Sequence, residues 1–121
     1  MAEKVAIGTF EGLPLTPAIA TEQFVFVTGQ VGSLPDGSYP PGIEEQTRVA
    51  LEKLSALLGQ VGSACNRVVK TTVFLTDVRE FPMMNRVYAE FFPTEPPARS
   101  TIGCQLVDIG CKVEIEAIAL R

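Results

Sequence analysis

The run Phe24-Val25-Phe26-Val27-Thr28 is aromatic or β-branched at every position, a composition that suits a pleated strand. Side chains of a strand alternate between its two faces, and here residues of both parities are apolar, so both faces need cover. Downstream, Ala50, Leu51, Leu54, Leu57, Leu58 and Val61 recur at three- and four-residue spacing, which predicts a helix from Glu44 to Val61. Phe81, Met84, Val87, Tyr88 and Phe91 predict a second helix, with Pro82 tolerable in its first turn. Two helices cover one face of a sheet. A chain of 121 residues has nothing left for the other, so another subunit is the economical cover.

The rest of the chain fits around that strand. Lys4 to Phe10 suits a short first strand, with Val5, Ile7 and Thr9 on one side. Glu11 to Thr21, holding Gly12, Pro14 and Pro17, reads as a loop. Gly32 to Gly42 carries the turn Pro35-Asp36-Gly37 and the stiff pair Pro40-Pro41, and admits a further hairpin strand near Ser38. Glu44 and Glu45 favour the start of the first helix, and Gly62 can take the left-handed position at its end. Arg67 to Thr76 sets Val69, Thr71, Val73 and Leu75 against Lys70, Thr72, Phe74 and Thr76, which predicts a strand. Two more strands, about Arg99 to Val107 and about Lys112 to Leu120, join around Asp108-Ile109-Gly110. In the last, Val113, Ile115, Ala117 and Ala119 face one way, and Glu114, Glu116, Ile118 and Leu120 the other. The order β-β-α-β-α-β-β, without repeat or linker, predicts one α+β domain over residues 1–121, a sheet with two helices packed on one face.

Composition removes several functions. The chain has no histidine, so a Ser-His-Asp triad, a Cys-His dyad, an imidazole zinc site and histidine-paired ribonuclease chemistry are excluded. A net charge of −4 argues against gripping a polyphosphate backbone, so no nucleic acid is expected as partner. Cys65, Cys104 and Cys111 form neither an even set nor a C-x-x-C pair and read as reduced thiols. The beginning MAEKVAIGTFEG has no apolar leader core, and no stretch approaches a membrane span. A cytoplasmic protein without membrane contact is the expectation.

Periodicity alone does not select a reaction. Glu114 and Glu116 share a strand face, which more often means a solvated face than a catalytic pair. Arg99 reads equally as a surface residue, Tyr88 and Phe91 as core, and the cysteines as structural thiols.

A resemblance adds more. Pro97-Ala98-Arg99-Ser100-Thr101, followed thirteen residues after Thr101 by Glu114 in Val113-Glu114-Ile115-Glu116-Ala117-Ile118-Ala119, resembles the C-terminal signature of the RidA/YjgF family of imine/enamine deaminases, also called endoribonuclease L-PSP. Phe24 to Gln30, Val69 to Asp77 and Met84 to Phe92 resemble the family's strand ending in Ser/Thr-Gly-Gln, its central strand and its second helix. The resemblance implies a chorismate-mutase-like mixed sheet backed by two helices. It also implies a homotrimer with a barrel-like core and active sites in the clefts between subunits. The implied reaction, a form of metabolite damage control, is hydrolysis of 2-imino acids and their 2-aminoacrylate-type enamine tautomers to 2-oxo acids and ammonia.

By the same resemblance Arg99 binds the substrate carboxylate in a bidentate fork, and Glu114 positions water and relays protons. Thr101 and Gly29 line the site through backbone groups, Asn85 lies near it, and no metal or cofactor is implied. Two positions depart from the family pattern. Leu15 stands where the family's Gly-Pro-Tyr-Ser loop has tyrosine, which removes a phenol and implies a more apolar pocket. Thr101 replaces the common cysteine. The alternative to a hydrolase is a non-catalytic trimer that binds a small carboxylate through Arg99 as a sensor. An endoribonuclease is disfavoured by charge and by the missing histidine.

Overall fold

The computed structural model describes residues 3–121; the one-domain reading of 1–121 therefore includes Met1 and Ala2, which lie outside the described residues. Six strands form one sheet, β1 (Val5–Ile7), β2 (Ala18–Ala20), β3 (Phe24–Val31), β4 (Val68–Leu75), β5 (Ala98–Gly103) and β6 (Val113–Leu120), in the order β1-β2-β3-β6-β4-β5. Only β4 and β5 run parallel; the other neighbours are antiparallel. The parallel pair requires a crossover, and helix α2 (Phe81–Phe91) supplies it. Helix α1 (Ile43–Gly59) connects β3 to β4.

Both helices pack on one face. Leu51, Leu54 and Leu58 of α1 are fully buried with Met84 of α2. They lie against the inward residues Val25, Val73, Val113, Ile115 and Ala119 of the sheet. Burying such side chains is worth about 1.5–3 kcal/mol each, so the inward parity of β6 fixes the orientation of the central strand. Gly62 takes a left-handed φ of 78°, and Ser63 N–H bonds to Leu58 O at 3.0 Å to close the end of α1.

Among the described residues nothing covers the opposite face. Phe26 is 42% exposed and Leu120 39%. Phe26 and Ile118 border a shallow hollow of about 350 Å³ with Lys70, Thr72 and Glu116.

Four expectations are corrected. Ala18–Ala20, read as loop, is a strand, because its backbone pairs with Val25–Val27 just after Pro17, whose carbonyl accepts from Thr28 N–H at 2.9 Å. Val69 is not inward: an irregularity between Val68 and Lys70 against β6 turns it out, and Val69 is 40% exposed. No strand forms near Ser38; Asp36 accepts from Ser38 N–H at 3.0 Å in a local turn. The strand from Arg99 stops at Gly103, and it lies beside β4 rather than β6, so residues 104–112 wrap around the end of β4.

Candidate functional site

Of the residues singled out from the sequence, Leu15, Gly29 and Glu114 border one cavity and Arg99 and Asn85 another; Thr101 borders neither. The first group lies where β3 runs beyond its cover. β2 pairs with β3 only as far as Val27, and the β3–β6 register shifts between Val27 and Gln30. Such bulges re-aim side chains and recur beside active sites. Glu114 lies opposite Val31, and its carboxyl sits directly over Gly29. A Cβ on residue 29 would come within 2.7 Å of the Glu114 Cδ, so only glycine leaves the carboxyl its place. Leu15, Gly29 and Glu114 share one cavity of about 640 Å³.

Glu114 is half-buried and joins no ion pair among the described residues. Burial pushes its proton affinity up, and the negative charges of Glu116 and Asp108 push it further the same way. A carboxyl in this state can hold and release a proton nearer neutrality than a solvated one. Glu116 shares its face but borders the other hollow, with Phe26 and Lys70.

The second group lies on the helix side. Arg99 of β5 is in register with Thr71 of β4, and Thr71 with Ala117 of β6. Thr71 and Ala117 are both buried beneath the helices, so Arg99 projects that way. Its guanidinium carbon lies 4.7 Å from the ring centre of Tyr88 and 5.5 Å from that of Phe81, a cation–π clamp. Tyr88 is itself fixed by a 2.7 Å hydrogen bond between its hydroxyl and Thr71 Oγ1. No ion pair among the described residues includes Arg99, so its fork of donors is held in place without a protein carboxylate. Asn85 borders the same 330 Å³ cavity, and its Oδ1 is buried without a hydrogen-bond partner. Thr101 follows two residues along β5, opposite Val73.

The fold thus gathers Leu15, Gly29 and Glu114 in one place and Arg99 and Asn85 in another. It does not bring Arg99 and Glu114 together within one chain. They project from opposite faces of the sheet, and their positions along β6 differ by three residues, since Arg99 aligns with Ala117 through Thr71. Tyr88 is core, as its spacing predicts, and Phe91 packs against that core; the sequence does not reveal that Tyr88 and the exposed Phe81 also clamp Arg99. The clamp's signal, two aromatics seven residues apart on one helical face, is indistinguishable from core packing. Burial raises the proton affinity of the Cys65 and Cys111 thiols, which keeps both in the unreactive form. Among the described residues no three Cys, Asp or Glu side chains are gathered as a metal would require, and no helix is long and apolar enough to cross a membrane.

The protein family described as endoribonuclease L-PSP matches residues 11–121. The mitochondrial protein mmf2 of Schizosaccharomyces pombe is 39% identical over 112 residues, covering 89% of this chain and 88% of that protein. A 2-iminobutanoate/2-iminopropanoate deaminase of Mus musculus is 36% identical over 110 residues, covering 89% of this chain and 82% of that one. Among solved structures, YyfA of the conserved Rid protein family from Yersinia pestis superposes with a TM-score of 0.91 at 35% identity. That match covers 98% of this chain and 100% of the other. The mixed sheet backed by two helices is the architecture of these neighbours.

Proposed function

The chain belongs to the endoribonuclease L-PSP family, which includes the Rid and YjgF proteins, and from that premise we propose that it hydrolyses reactive 2-imino acids. The substrates are of the 2-aminoacrylate and 2-iminobutyrate type, and the products are a 2-oxo acid and ammonia. The name of the mouse relative, a 2-iminobutanoate/2-iminopropanoate deaminase, supports this reading. Arg99, pre-set on the Tyr88 ring, takes the substrate carboxylate in a bidentate fork. Glu114 removes a proton from water as its oxygen adds to the imine carbon, then returns that proton to nitrogen. The C–N bond breaks, the water oxygen becomes the new carbonyl oxygen, both water protons leave on nitrogen, and ammonia departs.

Because the two residues face apart in one chain, the working site is proposed to form between copies. One subunit gives Arg99 and Asn85, and its neighbour gives Glu114 and Gly29. A homotrimer closed around the uncovered sheet face meets that requirement. The three free thiols of each chain suit a reducing compartment such as the cytoplasm.

The observation that carries the proposal is Glu114, a half-buried carboxyl over Gly29 with raised proton affinity and, among the described residues, no ionic partner. Recognition of a carboxylate alone needs only the arginine. The test is to generate 2-imino acids in situ from several amino acids with an amino-acid oxidase and follow their disappearance. Acceleration by this protein is the expected result. Tight binding of 2-oxo acids with no acceleration would replace the hydrolase by a carboxylate sensor. RNA cleavage, despite the family's name, is disfavoured by a net charge of −4 and no histidine.

A further inference from the structure

The cavity that holds Glu114 is larger and more apolar than a three- or four-carbon substrate needs. At about 640 Å³ it falls in the range of pockets that take drug-sized ligands. Phe10, Leu13 and Leu15, from the segment ahead of β2, line it together with Val107 of the β5–β6 loop and Leu57 of α1. Phe10 is 51%, Leu13 53%, Leu15 40% and Val107 98% exposed, so the fold spends none of these four on its own core. Their side chains converge on the space next to one carboxyl. Lys53, the cavity's cation, is engaged by the protein itself, donating to Val31 O at 3.0 Å and to Ser33 Oγ at 2.8 Å.

We propose that this wall selects the substrate side chain, and that the preferred substrates are 2-imino acids with branched aliphatic or aromatic side chains. The inference rests on the hydrolase reading and extends it. A 2-imino acid has three parts: a carboxylate for Arg99, a C=N group beside Glu114, and a side chain. The third must leave the reaction centre into the space adjoining Glu114, and there the surface offers carbon. Each buried methylene is worth about a fourfold preference, so the leucine-derived imine should exceed the alanine-derived one by at least about tenfold in kcat/KM. Leu15, the least exposed of the four, is the residue at which the wall is tested.

The test compares kcat/KM for imines generated from alanine, leucine and phenylalanine, and Kd for pyruvate, 4-methyl-2-oxopentanoate and 2-oxoglutarate. Larger values and tighter binding for the leucine- and phenylalanine-type compounds are expected, and Leu15→Asn should collapse the leucine-to-alanine ratio to within about threefold. An absence of hydrolysis with any imine would defeat the hydrolase reading only. Selectivity is then decided by the 2-oxo acids, with 4-methyl-2-oxopentanoate bound about tenfold tighter than pyruvate as the supporting result. Equal binding of the two, or none, overturns the proposal. Tighter binding of 2-oxoglutarate overturns it in favour of Lys53 as the determinant. A flat substrate ratio in the wild type, with Leu15→Asn lowering the assembly's mass, overturns it too and makes the wall a subunit contact.

Discussion

Arg99 carries its donors in a rigid plane, and the rings of Tyr88 and Phe81 hold that plane from the helix side. Lysine at this position keeps the charge but loses the fork and most of the stacking. Arg99→Lys should therefore lose nearly as much imine hydrolysis as Arg99→Ala, with the fold and the assembly retained. Activity within about threefold of wild type in either variant would reject the assigned role, and a fall in Tm of about 10 °C would make Arg99 structural instead. Glu114 makes a complementary pair of expectations. Glu114→Gln keeps shape but not proton transfer, and should cost about 10² to 10⁴ in rate while 2-oxo acid binding survives. Glu116→Gln, on the same face but beside Phe26 and Lys70, should leave the rate almost unchanged. Equal losses in the two variants would mean that the catalytic carboxyl has been placed two residues off. The proton affinity of Glu114 also fixes a sign in pH. Its folded pKa is raised, so the folded state disfavours the charged form, and ionised Glu114 destabilises the protein above that raised value. Glu114→Gln should then raise Tm at pH 7, and the gain should fade below about pH 4, where the carboxyl is protonated in both states. A gain that persists at low pH would assign the effect to packing.

Besides the packing of its leucines on the sheet, helix α1 makes a close backbone approach at Gly32. A Cβ on Gly32 would stand 2.5 Å from the Gln46 carbonyl oxygen and 2.6 Å from its Cα, both backbone atoms that cannot swing aside. Gln46 meanwhile donates through Nε2 to Pro40 O and Gly110 O and accepts from Lys112 N–H at 2.7 to 2.9 Å. It ties the start of α1 to the loop before β6. Gly32→Ala should cost about 2–3 kcal/mol, read as a Tm roughly 10 °C lower; a change under about 2 °C would show that α1 does not rest there. That contact was invisible in the sequence, where Gly32 was merely the start of a loop. What could be read was whatever is encoded by local period. The inward Val113, Ile115, Ala117 and Ala119 of β6 alternate cleanly, and the leucines of α1 repeat at helical spacing, so both elements are legible to within a few residues. Ala18–Ala20 could not be, because three residues between a proline and a turn gain their strand character only from Val25–Val27 across the sheet. Val69 obeyed the alternation in sequence and lost it to an irregularity opposite β6. The candidate site divides along the same line. Arg99 and Glu114 stand out only through the resemblance of Pro97–Thr101 and Val113–Ala119 to a family signature, not through any local period. Their facing apart is not legible, because the face of β5 is set by its parallel partner β4 rather than by its own pattern.

The uncovered sheet face and the divided site make the same demand on assembly. Phe26, Ile118 and Leu120 present carbon to water where a single chain has no element left to cover them, and patches of this kind mark protein contacts. The expected species is a homotrimer, and a mass near one 13.0 kDa subunit by light scattering at micromolar concentration would refute it. Phe26→Glu, which places a charge in the middle of that face, should yield monomers and abolish hydrolysis, although Phe26 borders neither cavity that holds Arg99 or Glu114. A stricter test asks whether the two half-sites belong to different copies. Arg99→Ala and Glu114→Gln should each be inactive alone. When the two are unfolded together and refolded as mixed trimers, some clefts receive an intact Arg99 from one subunit and an intact Glu114 from its neighbour. In a cyclic trimer with random mixing, about a quarter of the clefts meet that condition, so about a quarter of wild-type activity should return. If both residues served the same cleft from a single chain, no mixture could restore anything. The returning fraction therefore decides between a site completed by a neighbour and one contained in each subunit.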